Sequence, residues 1–217
     1  MKAYLYFEQS NTFRDEFRKL GYEAKSYDIE GNPSVKVDLF KEIHKAYQGW
    51  SSVFDEPKPD DVCMAFFPCT YFEAQNQLHF EGTSYQYKNL SDLDKVNVSR
   101  ERERARSDFF QTLCELVIVA YRKKIRLVIE NPYGYNYLCK TLPIKPALII
   151  QDRTELGDVM KKPTMFYFIN FEPNLFVPKY EKKKPKKIIS KMSQGIERSI
   201  ISKEFARNFI QGYVLKN

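Results

Sequence analysis

Val62-Cys63-Met64-Ala65-Phe66-Phe67-Pro68-Cys69-Thr70 begins with an apolar run. The run stops at Pro68, and Cys69 follows directly. Asp60 and Asp61 precede it, and an apolar run bounded in this way is typical of a buried strand in a parallel sheet. In open α/β sheets, ligands and chemistry lie at the carboxyl ends of the strands. The Cys69 thiol is therefore a candidate nucleophile, and a half-buried structural thiol is the alternative.

Strands and helices alternate along the rest of the chain. Apolar runs predict strands at 3–7, 23–27, 61–67, 126–130, 147–151 and 165–170. Helical spacing of apolar side chains predicts helices at 12–20, 107–124 and 202–214, and a further helix that follows a short strand opens at 38–43. This alternation implies parallel pairing through right-handed crossovers. The sequence therefore predicts a single α/β domain over residues 1–217, with a mostly parallel twisted sheet and helices on both faces.

Two segments interrupt the alternation. Residues 73–99 are polar and aromatic without a clear period, which predicts a long inserted loop, and loops of that length are usually functional. Residues 177–193 are rich in lysine and predict a basic loop that can lie along phosphates. These two loops are the best candidates for contact with a substrate.

Composition excludes several classes of protein. A hydrophobic content of 43% with 15% aromatic residues is that of a globular chain, and the net charge of +7 favours an anionic partner. Four cysteines at irregular spacing and two scattered histidines do not make a zinc set, so we expect no metal and a reduced, cytoplasmic setting. No apolar run is long enough to span a membrane, and the N-terminus lacks the core of a signal peptide.

Chemically useful side chains follow most of the predicted strands. In chain order they lie in 7–12, at Asp28, at Asp38, at Cys69, in 130–132 and in 151–153. Because the carboxyl ends of parallel strands meet at one edge of a sheet, we expect these residues to converge. Each also has a simpler explanation: Asp38 as a helix N-cap, Asp28 as a turn residue, and 130–132 as the end of a strand.

Taken in this order, the residues resemble the motifs of the cytosine-5 DNA methyltransferases, a branch of the Rossmann-like methyltransferases that use S-adenosylmethionine. Phe7-Glu8-Gln9-Ser10-Asn11 stands where the family has Phe-x-Gly-x-Gly, and Pro68-Cys69 where it has Pro-Cys. Glu130-Asn131-Pro132 is similar to Glu-Asn-Val, and Gln151-Asp152-Arg153 to Gln-x-Arg. Residues 194–206 resemble the last motif, and the chain is similar to short homologues of phages and mobile elements.

The resemblance implies a reaction on cytosine in DNA. Cys69 would add to carbon-6 of the ring, Glu130 would contact the ring nitrogen N3 and the exocyclic amine, and Arg153 would help to position the base. The base would have to leave the duplex or be presented in a single strand. The fold implied is the Rossmann-like methyltransferase fold, without a separate target-recognition domain because residues 171–193 are too few to form one.

The same resemblance implies a site for S-adenosylmethionine. Asp28 would accept hydrogen bonds from the ribose hydroxyls and Asp38 would contact the adenine amine. The other cofactor contacts implied are Phe7, Gln9, Asn11, Thr12, Ile29, Pro68 and Ser199. The substrate contacts implied are Asn131, Pro132 and Gln151, and the basic loop adds Lys183, Lys184, Lys186 and Lys187 as candidates for contact with phosphates.

Two alternatives stay open, and the first rests on the replacement of the family's glycines by Gln9 and Asn11. Asparagine tolerates the left-handed conformation, whereas a Gln9 side chain could enter the cofactor site. A catalytically silent scaffold of a phage or mobile element, which interferes with a nucleic-acid-targeting protein partner, is therefore one alternative. Methylation of an adenine amino group is the other, suggested by Asn131-Pro132-Tyr133; that motif needs a second proline and gives Cys69 no role.

Overall fold

A seven-stranded sheet organises the part of the chain that the computed structural model describes, which is residues 1–73, 77–134, 137–174, 180–185 and 201–215. The strands are β1 (Lys2–Tyr6), β2 (Glu23–Asp28), β3 (Val35–Lys36), β4 (Val62–Ala65), β5 (Arg126–Pro132), β6 (Leu148–Ile150) and β7 (Thr164–Ile169). Their order across the sheet is β3-β2-β1-β4-β5-β7-β6. The predicted strands are confirmed, with ends that differ by at most two residues.

Helices connect these strands and cover both faces of the sheet. They are α1 (Thr12–Lys19), α2 (Leu39–Tyr47), α3 (Gln77–Phe80), α4 (Asp92–Lys123), α5 (Tyr137–Thr141) and α6 (Lys203–Phe209), and α6 continues into a π-helical turn, Ile210–Val214. Short 3-10 turns lie at Val53–Asp55, Tyr85–Tyr87 and Arg153–Leu156. None of the helices in the described ranges combines the length and apolar character needed to span a bilayer.

The core has two halves because successive strand residues point to opposite faces. Tyr4 and Tyr6 of β1 pack with α2 and α4 on one face. Ala3 and Leu5 of the same strand pack with α1 and α6 on the other face. A central strand buried on both faces explains why β1 and β4 read as apolar runs rather than as alternating ones.

The strand order fixes where a ligand site can lie. The chain runs outward from β1 to β2 and β3 and then returns to place β4 on the other side of β1, so the order reverses between β1 and β4. In doubly wound sheets the crevice outside the carboxyl ends of such a pair is the usual ligand site. The described residues therefore form an α/β fold, compatible with a Rossmann-like fold, in which the expected ligand crevice lies between the loops after β1 and β4.

The last two strands depart from the expected parallel pairing. β7 pairs antiparallel with β5 and with β6, so that Glu130 lies opposite Phe166 and Ile150 opposite Thr164. The segment between β6 and β7 contains only a 3-10 turn, and without a crossover helix a short connection returns the chain antiparallel. The sheet is therefore mostly parallel, as predicted, with antiparallel pairing at this edge.

The helix predicted at 107–124 begins much earlier, at Asp92, so the predicted loop 73–99 is wrong in part. Ser91 caps the helix by accepting a hydrogen bond from the Asp94 amide at 3.2 Å. The added turns are charged and do not pack on the sheet, which is why they show no apolar period. Ion pairs such as Lys95–Asp92 at 3.6 Å lie along them.

Candidate active site

Cys69 lies in a tight turn just beyond β4. The Phe72 and Glu73 amides donate to the Cys69 carbonyl at 2.8 and 3.2 Å, which closes one helical turn. This turn brings the Glu73 side chain back over the cysteine, and the Cys69 Sγ donates a hydrogen bond to Glu73 Oε1 at 3.1 Å. Lys162 Nζ lies 3.9 Å from the same carboxyl oxygen. The thiol therefore faces a carboxylate that can accept its proton.

Glu130 lies at the carboxyl end of β5, the strand that neighbours β4. Its side chain is partly buried, and no described residue donates a hydrogen bond to its carboxyl group. Burial raises the pKa of Glu130, while the charges of Lys162 and Arg153 oppose that rise. A desolvated carboxyl group without an internal partner can donate or accept a hydrogen bond with a bound ligand.

The same surroundings keep the Cys69 thiol protonated. Burial raises the pKa of Cys69 well above its ordinary value, and the negative charges of Glu73 and Glu130 raise it further, whereas Lys162 lowers it. The charges of Glu73, Glu130 and Lys162 thus all act on the cysteine within one site. Because a thiolate is the reactive form, attack by Cys69 requires transfer of its proton, and Glu73 is its hydrogen-bond acceptor.

Asn131 fixes the loop that carries Cys69. Its side chain is fully buried, and Nδ2 donates to the Phe67 carbonyl at 3.2 Å. Phe67 in turn packs edge-on against Phe7 at 5.3 Å, which joins the loops after β1 and β4. Asn131, predicted as a substrate contact, therefore lies beneath the loop and supports it, with Pro132 following it at the end of β5.

The loop after β1 forms left-handed turns without glycine. Phe7 and Asn11 have φ angles of 60° and 57°, whereas Gln9 needs no left-handed φ. Asn11 side-chain atoms accept from Ser26 Oγ at 2.6 Å and donate to the Asn32 carbonyl at 2.8 Å, which stabilises the strained residue. Thr12, buried at the start of α1, lies next to it.

Glu8 in this loop caps helix α1. Its carboxyl group accepts from the Phe13 amide at 2.5 Å and the Arg14 amide at 3.2 Å, and the residue is 3% exposed. Burial raises the pKa of Glu8 from 4.5 to about 8, although these two amides oppose the rise. The folded protein therefore holds a proton on Glu8 at pH values where the unfolded chain has released it.

We expect stability to fall as the pH rises between these two values, because the folded state binds one proton more than the unfolded state. The slope is about 1.4 kcal/mol per pH unit at most. In Glu8→Gln this part of the dependence is expected to disappear, as measured by urea unfolding at pH 5.5, 6.5 and 7.5. The exposed Glu81→Gln serves as the control, and an unchanged slope in Glu8→Gln would show that Glu8 is charged in the folded protein.

The two aspartates predicted as cofactor contacts already have structural roles. Asp38 is the N-cap of α2 and accepts from the Phe40 amide at 3.1 Å. Asp28 is 5% exposed and accepts from the Glu30 amide at 2.8 Å in its own turn, and burial raises its pKa. Ile29, by contrast, is 54% exposed beside that turn. The simpler explanations of Asp28 and Asp38 are thus confirmed, and a ligand contact would come in addition.

Other predicted residues pair with side chains outside the Cys69 turn or are exposed to solvent. The Arg153 side chain is 2% exposed and forms an ion pair with Asp158, with its guanidinium 5.1 Å from the centre of the Phe205 ring. Lys183 pairs with Glu204, whereas Gln151 and Lys184 are exposed. Ser199, Lys186 and Lys187 lie outside the described residues, and so does most of the predicted basic loop.

Two members of the site were missed by sequence reasoning. Glu73 stands four residues after Cys69, a spacing that a helical turn brings together, so this signal was present. Lys162 precedes β7, and only the antiparallel pairing of β7 with β5 places it beside Glu130. Across the described ranges, no group of three histidine, cysteine or acidic side chains could hold a metal ion.

Comparison with known proteins leaves the family open. No model of a protein family matches the chain, and no curated protein matches its sequence.

Proposed function

We propose that the protein is a methyltransferase that acts on carbon-5 of cytosine in DNA through a covalent Cys69 adduct, with S-adenosylmethionine as methyl donor. The observation that carries the proposal is the convergence of Cys69 and Glu130 at the carboxyl ends of neighbouring strands, next to the crevice between β1 and β4. A thiol close to a carboxyl group of raised pKa suits addition to a pyrimidine ring.

The side chains divide the covalent chemistry between them. The Cys69 sulfur forms a bond to carbon-6 while its proton passes to Glu73, the acceptor of its hydrogen bond. The electron pair of the 5,6 double bond moves toward carbon-5 and the carbonyl, and protonated Glu130 donates to N3 so that the charge is spread. When bound, S-adenosylmethionine supplies an electrophilic methyl group for carbon-5. Solvent water then accepts the carbon-5 proton, and the electron pair of the C5–H bond re-forms the 5,6 double bond. The bond from carbon-6 to the Cys69 sulfur breaks, and the sulfur takes back the proton that Glu73 holds.

The residues after β1 and β2 fit the adenosyl part of the cofactor. The loop after β1 has glycine-like turns at Phe7 and Asn11, and the exposed Ile29 beside the Asp28 carboxyl offers an apolar surface for adenine next to an acceptor for ribose. Thr12 and Pro68 lie at the edges of the same crevice, and Asp38 begins α2 nearby. These residues would hold the nucleoside.

One hydrogen bond joins the two loops between which the nucleoside would bind. Gln9 Nε2 donates to Glu30 Oε2 at 3.0 Å, and the loops are so close that a Cβ on Gly31 would lie 2.9 Å from the Gln9 carbonyl oxygen. Opening an exposed hydrogen bond of this kind costs about 0.5–1.5 kcal/mol. Micromolar binding corresponds to about 8 kcal/mol, so cofactor binding can open it.

This closure also supports the second candidate, a catalytically silent scaffold that binds a partner. In such a protein the Gln9–Glu30 contact would hold the loops together permanently, and Asp28 would keep only its role in the turn. The covalent chemistry of Cys69 would then have no methyl donor. Titration with the cofactor separates the two functions.

We expect calorimetric titration with S-adenosylmethionine to show binding on the order of micromolar. In Gln9→Gly the affinity is expected to rise by about two- to tenfold, because the hydrogen bond to Glu30 no longer has to open. Gln48→Gly, which changes an exposed glutamine at the end of α2, is the matched control and should bind like the unchanged protein. Absence of heat up to millimolar cofactor in all three proteins would overturn the proposal in favour of the silent scaffold.

A further inference from the structure

A cavity of about 350 Å³ lies beside the Cys69 turn and is not used by the reaction above. Its lining residues are Tyr71, Asn97, Val98, Glu101 and Arg102. Four of them come from the amino-terminal half of α4, where positions 97 and 101, and 98 and 102, lie one turn apart on neighbouring rows of the helix. Tyr71 closes the cavity from the other side, only two positions after Cys69.

The walls offer an aromatic ring and polar side chains. Arg102 lies over the Tyr71 ring at 5.6 Å and over the Phe80 ring at 5.3 Å. Its Nε atom is buried and has no hydrogen-bond partner among the described residues. Asn97 and Glu101 also make no side-chain hydrogen bond or ion pair with the described part of the chain. A ligand could therefore stack on Tyr71 and pair with three polar side chains.

We propose that this cavity binds the nucleobase next to the target cytosine, an inference that rests on the proposed function of the Cys69 site. The Cα atoms of Tyr71 and Cys69 are at most about 7 Å apart, so the cavity borders the turn that carries the thiol. Aromatic stacking combined with arginine is the usual way to hold unpaired bases. The guanidinium of Arg102, which lines the cavity, can meet a base edge or phosphate, and Arg100 and Arg104 of the same helix are exposed.

Glu101 gives the cavity a preference among bases. A carboxylate accepts hydrogen bonds from an exocyclic amine, such as N4 of cytosine or N6 of adenine, whereas thymine presents only carbonyl oxygens and one ring N–H. Asn97, one turn earlier on the helix, can pair with the remaining edge of the base. The neighbouring base is therefore expected to carry an amine, and thymine is the least favoured neighbour. In this way the arm formed by α3 and the start of α4 supplies the sequence context that a separate recognition domain would otherwise provide.

The test uses the full chain with Cys69→Ser, so that binding is measured without chemistry. Single-stranded oligonucleotides carry fluorescent 2-aminopurine either next to a single cytosine or five positions away. Binding is expected to quench the neighbouring probe and leave the distant one unchanged. Adding Tyr71→Ala should weaken binding about tenfold or more and abolish the quenching. Tyr121→Ala, at an exposed tyrosine near the other end of α4, is the matched control.

Tyr71 also packs on Phe109, so Tyr71→Ala removes a packing contact as well as the stacking surface. A second variant at the surface therefore separates loss of binding from misfolding. Glu101→Gln changes an exposed side chain and should remove the preference for cytosine or adenine over thymine beside the target. Equal quenching at both probe positions, or unchanged base preference in Glu101→Gln, would overturn the proposal. So would failure to bind any oligonucleotide, which would leave the cavity to a protein partner. These outcomes are independent of the cofactor titration, so either proposal can fail alone.

Discussion

Arg153→Ala is expected to lower the free energy of unfolding by about 3–5 kcal/mol, because it leaves the Asp158 carboxylate buried without its partner. Asp158 is fully buried, and its Oδ2 accepts from Arg153 Nε at 2.5 Å. Its other oxygen accepts from the Val159 amide at 2.7 Å, which cannot compensate for the missing charge. Urea unfolding at neutral pH measures the change.

Two further variants define the origin of this loss. Arg153→Met combined with Asp158→Leu removes both charges and should recover a large part of the stability, since no buried charge is left unpaired. Lys41→Ala breaks only the exposed pair with Asp38 and should leave the unfolding midpoint nearly unchanged. If Arg153→Ala unfolded like the unchanged protein, the guanidinium would be free to leave Asp158 and to contact a base, as the Gln-x-Arg resemblance implies.

The strands could be predicted from sequence because burial on both faces leaves an unmistakable apolar run. Val62 to Ala65 is fully buried, and so is most of β1, as expected for central strands. The antiparallel course of β7 could not be predicted in the same way. Periodicity identifies a strand but not its direction, which here depends on the missing crossover helix after β6.

The amino-terminal part of α4 could not be predicted from the sequence, for a different reason. Its first turns are stabilised by the Ser91 cap, by ion pairs and by Arg102 and Arg106 stacked on aromatic rings, so no apolar stripe marks them. Arginine stands at every second position from 100 to 106, a pattern that predicts a helix face exposed to solvent. Arg102 and Arg106, however, lie on one side of the helix and make the aromatic contacts. The signal was a spacing of four residues between arginines rather than between apolar residues.

Only the members of the candidate site that directly follow strands could be predicted from the sequence. Cys69 and Glu130 could be assigned to one edge because both follow apolar runs in a parallel sheet. Their electrostatic surroundings depend on Glu73, brought back by a turn, and on Lys162, brought in by β7 from 32 positions beyond Glu130. Charges contributed from distant positions decide the protonation of a thiol, and sequence spacing does not reveal them.

Replacing Cys69 by serine is expected to abolish a covalent complex with DNA that carries 5-fluorocytosine. In the unchanged protein, with cofactor present, the complex should survive denaturation, because fluorine on carbon-5 cannot leave as the proton does. Glu130→Gln should slow formation of the complex by about 10²–10⁴-fold, since an amide cannot give a proton to N3 while sulfur adds. Gel electrophoresis in denaturant, followed over time, measures both effects.

Matched variants at similar side chains separate chemistry from folding. Cys139→Ser changes an exposed cysteine and Glu81→Gln an exposed glutamate, and both should form the complex at the original rate. A complex that persisted in Cys69→Ser would remove this thiol from the reaction. Normal rates in Glu130→Gln would instead assign the proton to another donor, with Glu73 the nearest carboxyl group to the sulfur by its hydrogen bond. Because the carboxyl group of Glu130 has no hydrogen-bond partner in the described chain, its loss should cost reactivity and leave the fold intact.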